Sequence, residues 1–176
     1  CSFNVTPLMC LGSNTSAEIL MTFLDESKMD VDKRDNNNNS FATIVVQRMV
    51  SSEFDENLKN IVKSMLTRVN LYLPVNDTQR SVVMMLATND TYFDLLTAIC
   101  ENDIANEFSE HINDADIDGN TIMILTVKHF KSYKNICRFH EIVTRKYESA
   151  KFESVVNKNG ESFKFLIEAH PNEQLK

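Results

Sequence analysis

The sequence predicts an all-α fold, a stack of short helix pairs repeated along the chain. Three observations carry this. A polar stretch, a hydroxyl residue and an apolar run recur together at Thr6, Ser40, Ser81, Thr121 and Ser162. These hydroxyls are spaced by 34, 41, 40 and 41 residues, and a period of that size marks a repeat architecture. Between them run apolar residues at helical spacing, and no strand alternation of comparable length occurs.

Each hydroxyl has a mechanical role. Ser and Thr are strong N-cap residues that accept from orphan N–H groups in a first helical turn. Helices are therefore expected to begin after Thr6 (Pro7-Leu8-Met9), Ser40 (Phe41-Ala42-Thr43-Ile44), Ser81 (Val82 to Met85), Thr121 (Ile122 to Leu125) and Ser162 (Phe163 to Leu166). Pro7 suits a first turn, where its missing N–H costs nothing. A second helix is expected in each copy. Ser16 precedes Ala17, Ile19, Leu20, Phe23 and Leu24, and Leu58, Ile61, Val62, Met65, Leu66 and Val69 keep the helical period. Ser52 ahead of Glu53 and Asp55 reads as the cap of that second helix. Ile136, Phe139, Val143 and Tyr147 repeat the pattern further on.

The Thr-Pro-Leu start, the short helix pairs and the loops Asp116-Ile117-Asp118-Gly119-Asn120-Thr121 and Asn157-Lys158-Asn159-Gly160-Glu161-Ser162 resemble ankyrin repeats. The resemblance implies an ankyrin-repeat solenoid over about residues 5 to 170, with four divergent repeats and the first helix of a fifth. The family's histidine after Thr-Pro-Leu is replaced by Met9, Thr43, Met84, Ile124 and Phe165, and its Gly-His turn is missing. The spacings exceed the ankyrin period of about 33, so extra residues are expected at 49–57, 102–114 and 131–135. HEAT and armadillo repeats, with a period of about 40, are the alternative.

Length and composition fit one domain spanning 1–176, and 43% hydrophobic content excludes wholesale disorder. No apolar run reaches the ~18 residues of a membrane span. With Cys1 in first place, the sequence reads as a fragment of a longer chain. Cys1, Cys10, Cys100 and Cys137 lack metal or disulfide spacing and are expected as thiols in a reducing, cytoplasmic compartment. The Asn-x-Ser/Thr triplets at Asn4 and Asn76 then carry no glycan.

Net charge is −7, against a strongly basic nucleic-acid domain. Residues 101–118 carry acids and no Lys or Arg, whereas 128–151 carry Lys128, Lys131, Lys134, Arg138, Arg145, Lys146 and Lys151 against Glu141 and Glu148. With Phe130, Tyr133, Phe139 and Tyr147 interleaved, that basic segment offers an RNA-binding surface through Lys131, Lys134 and Arg138 as an alternative function.

Other constellations fail at a defining position. Asp114, Asp116, Asp118 and Gly119 imitate a calcium loop whose twelfth position is Leu125 instead of Glu. His140-Glu141 opens a zinc helix whose second ligand would be Thr144. Cys137 between Lys134 and Arg138 reads as a buried helix cysteine. No Gly-rich phosphate loop or Gly-x-Ser-x-Gly elbow exists. No metal, cofactor or enzymatic activity is expected; a binding module is, with contacts at the turn tips through Asp35, Asn37, Asp77, Gln79, Asp116, Asp118 and Lys158.

Val5 to Leu8, Met49 to Glu53 leading into Leu58 to Leu66, and Arg80 to Ala87 also resemble the ankyrin region of the germ-cell ankyrin, SAM and leucine-zipper family, GASZ. That resemblance implies a scaffold of piRNA production on the cytosolic face of mitochondria. Its SAM domain and tail anchor would lie beyond residue 176, and its partner would be an RNA helicase or a Piwi protein. A signalling or transcriptional ankyrin adaptor is the other reading.

Overall fold

A computed structural model describes residues 5–26, 30–31, 33–52, 55–66, 69–75, 77–102, 107–147 and 152–171. Their architecture is all-helical: α1 Pro7–Asn14, α2 Ala17–Glu26, α3 Phe41–Ser51, α4 Glu56–Met65, α5 Val82–Leu86, α6 Phe93–Glu101, α7 Glu107–His111, α8 Ile122–His129, α9 Tyr133–Lys146 and α10 Phe163–Glu168. A 3-10 turn at Asp90–Tyr92 leads into α6. Pairing between extended segments is confined, among the described residues, to the isolated bridges Val75 with Arg80 and Val156 with Ser162.

The five expected hydroxyls each cap a helix. Thr6 accepts from Met9 N at 3.2 Å, Ser40 from Thr43 N at 3.2 Å, Ser81 from Met84 N at 3.4 Å, Thr121 from Ile124 N at 3.4 Å and Ser162 from Phe165 N at 3.1 Å. The helices they open pack in succession, α1 on α3, α3 on α5, α5 on α8 and α8 on α10. The second helices flank them, α2 on α4 and α6 on α9. One continuous core results, running from Leu8 through Val45, Ile61, Leu86, Leu96 and Leu125 to Phe139 and Phe163.

Neighbouring copies also close each other's helix ends, where the last carbonyls have no intrahelical donor. Arg48 Nη1 donates to Thr15 O at 2.7 Å after α1, Tyr92 Oη to Met49 O at 2.8 Å in α3, and Lys146 Nζ to Cys100 O at 2.5 Å in α6. Asp90 works at the opposite end of a helix, accepting from Ser132 N at 2.9 Å and Asn135 Nδ2 at 2.6 Å where α9 begins.

Several local expectations are corrected. Ser52 closes α3, its N–H donating to Arg48 O, and Asp55 caps α4 by accepting from Asn57 N and Leu58 N. The carboxylate lies one residue before the helix and outcompetes the more distant hydroxyl. Leu66 ends α4 half-buried, so Ile61 and Met65 form that interface. The extra residues expected at 131–135 mostly belong to α9, which runs for 14 residues. Those at 102–114 include α7, anchored by buried Phe108 and Ile112.

Candidate functional site

The segments entering the capped helices form a ladder of tight turns. Two residues before each of the last four caps the backbone takes the left-handed conformation: Asn38 at φ 64, Gln79 at 55, Gly119 at 80 and Gly160 at 76. Only glycine enters that region without steric cost.

Three turns are built alike. Asp35, Asp116 and Asn157 each accept, through one side-chain oxygen, from the N–H groups two and four residues on, at 2.8–3.0 Å. Their own N–H groups donate to Asn39 O, Asn120 O and Glu161 O at 2.9–3.0 Å. Such short side chains replace missing backbone partners in a turn.

Successive turns are then joined. Asn38 Nδ2 donates to Pro74 O at 2.7 Å, Ile117 N to Thr78 O at 2.9 Å and Lys158 N to Asp118 O at 3.0 Å. Arg80 reaches Asp116 Oδ2 with both Nε and Nη2 at 3.0 Å, and Asn157 Nδ2 donates to Asn120 Oδ1 at 2.9 Å. Burial pushes the Asp116 carboxyl up, but hydrogen bonds from Asn120 and the Arg80 guanidinium outweigh it and hold it below the ordinary range. Glu161, bound by Lys128 at 2.7 Å and by Asn157, is likewise held low. His129, exposed at the end of α8, is pushed down by partial desolvation and by the charges of Arg80 and Lys128, against the opposing pull of Asp116.

Of the expected contact residues, Asn37, Asp77, Gln79, Asp118 and Lys158 stand exposed on these turns. Asp35 is half-buried and spends its carboxylate on its own turn. Asp116 is corrected from a contact residue to a structural one: its side chain is fully buried between Arg80 and Asn120. Ile117, 45% exposed, is the tip side chain that the sequence reading passed over.

Lys131, Lys134 and Arg138 are exposed on and beside α9. Their aromatic neighbours are not: Phe130, Phe139 and Tyr147 are buried, and Tyr133 is half-buried against His170.

Among the described residues the types of a nucleophile relay come into contact at Thr144, His140 and Glu153. Thr144 Oγ1 lies 3.4 Å and Glu153 Oε1 2.9 Å from the same His140 Nε2. A relay needs the acid on one ring nitrogen and the nucleophile on the other. His140 instead stacks on Phe163 and meets Phe152 edge-on. Cys137 is half-buried, Cys100 buried and Cys10 exposed, while Cys1 and Lys151 lie outside the described residues. Among the described residues no three His, Cys, Asp or Glu side chains gather around a common point, and no helix is long and apolar enough to cross a membrane.

No protein-family model matches the chain, and no curated protein matches it. Among solved structures the fold is similar to one of the Bd0816 predatory endopeptidase from Bdellovibrio bacteriovorus in complex with immunity protein Bd3460. The TM-score is 0.64 at 16% identity, over 96% of this chain and 76% of that one. The expectation of a chain without enzymatic activity is corrected by this likeness, since a structure containing an endopeptidase shares the fold. A helical fold of this kind is therefore no ground for denying an activity. At 16% identity the likeness shows the fold alone.

Proposed function

We propose that the chain is an ankyrin-repeat solenoid that binds a protein partner along its ladder of turns, through Asn37, Asp77, Gln79, Asp118 and Lys158. The observation that carries this reading is the repetition of one turn geometry two residues before successive helix caps, with hydrogen bonds joining turn to turn. A rigid row of exposed polar and charged side chains is a preorganised surface, which lowers the ordering cost of association. A solenoid binds by such extended surfaces. The similar solved structure is itself a complex of two proteins.

The GASZ resemblance directs the search for that partner to an RNA helicase or Piwi protein of the piRNA machinery, met at the mitochondrial surface. The test uses purified candidates of those two classes and the immobilised chain. A second preparation carries Ala at Asn37, Asp77, Gln79, Asp118 and Lys158, its helicity checked by circular dichroism. Retention by the first and loss by the second is the expected result. Retention of neither candidate defeats the germ-line assignment, and equal retention by both preparations defeats the turn surface.

A further inference from the structure

The exposed face of α9 carries cations that no acid among the described residues answers. Lys134, Arg138, Glu141 and Arg145 fall within one narrow stripe at the helical period, and Lys131 stands just before the helix. All five are exposed, opposite the buried Ile136, Phe139 and Val143. Three cations elsewhere are paired with acids, Lys59 with Asp94, Arg80 with Asp116 and Lys128 with Glu161. Among the described residues no acid pairs with Lys131, Lys134, Arg138 or Arg145. Arg138 is held in place, its guanidinium 6.0 Å from the Phe93 ring centre in the neighbouring copy.

We propose that this stripe is a second docking surface, for an acidic segment of a partner protein. Charge complementarity selects the sign of the partner, and two features select its class. Single-stranded bases stack on exposed aromatic rings, and here Phe130, Phe139 and Tyr147 are buried and Tyr133 is half-buried. Glu141 sits inside the stripe and repels an evenly charged polyanion, whereas a peptide can place a neutral or basic residue opposite it. The net charge of −7 adds repulsion toward any long polyanion.

Fluorescence anisotropy tests this with a labelled Asp/Glu-rich peptide carrying one central Lys, an oligouridylate of matched charge, and vesicles of anionic phospholipid. The peptide is expected to bind the intact chain most tightly and to weaken with salt. Charge reversal of Lys131, Lys134 and Arg145 to Glu should weaken it about tenfold or more, the summed loss of three exposed pairs. Glu141→Gln should raise oligouridylate binding while changing peptide binding less. Both variants keep the buried face of α9, and circular dichroism checks their helicity. Absence of peptide binding at low salt, or tighter binding of RNA or vesicles, overturns the proposal. The turn residues are untouched by these variants, so this surface and the turn surface fail separately.

Discussion

At the residue scale the left-handed turn positions make the sharpest forecasts. Gly119 and Gly160 share a positive φ but differ in surroundings: a Cβ at Gly119 would meet Lys158 N at 3.0 Å, and one at Gly160 meets nothing within 4 Å. Gly119→Ala should therefore cost more than Gly160→Ala, the latter being limited to the ~1–2 kcal/mol of left-handed strain. Gln79→Gly should stabilise by a fraction of that, because Gln79 already bears the strain. Urea midpoints of the three variants order these values, and equal losses at the two glycines would contradict the close approach. Like Glu161, Asp116 and His129 contribute to the acid limb. Both have folded values below their ordinary ones, so the stability each contributes is full above its unfolded value and is lost as pH falls through the folded one. For His129 that loss begins below an unfolded value of about 6.5. His129→Gln should show a smaller fall in urea midpoint between about pH 7 and about pH 5.5 than the parent chain. The caps were legible in the sequence because a hydroxyl and the N–H it serves lie three residues apart. Burial of Asp116 was not, because Arg80 stands 36 residues away.

At the element scale the helices divide by what holds them. α5 has only five residues, all buried, and an isolated helix that short is unstable in water. Packing between α3 and α8 supplies its order. α9 was readable from Ile136, Phe139, Val143 and Tyr147 because 14 residues give the period room to show. α7, with Phe108 as its single buried residue, has no period to read. Two competing carboxylate and hydroxyl caps at 52–55 likewise hid the start of α4, and with it the rank of its apolar residues. Ile61 is fully buried and Leu66 half-buried, so Ile61→Ala should cost roughly 2–5 kcal/mol and Leu66→Ala clearly less. Thermal denaturation of the pair checks this, and a greater loss at Leu66 would move the α4 interface toward its C-terminal end.

At the scale of the whole molecule, the price of a substitution depends on how many neighbours a copy has. The third residue after each cap holds the same place in every copy: Met9 is 2% exposed, Thr43 and Ile124 are fully buried, Met84 is 4% exposed, and Phe165 is 59% exposed. Ile124 lies on α8, which packs against both α5 and α10, whereas Phe165 lies on α10, which packs against α8. A buried side chain loses its packing on truncation, whereas an exposed one has little to lose. Ile124→Ala truncates a fully buried side chain and should cost roughly 2–5 kcal/mol. Phe165→Ser replaces an exposed ring with a small polar residue and should stay within about 0.5 kcal/mol of the parent. Urea unfolding of the purified chain measures both. Amide hydrogen exchange gives a second readout, with α8 the slowest helix to exchange and α10 among the fastest, since a helix packed on one side opens without the rest. A loss at Phe165 comparable to that at Ile124 would mean that the α10 face is covered in solution, by chain or partner, as completely as the interior copies are.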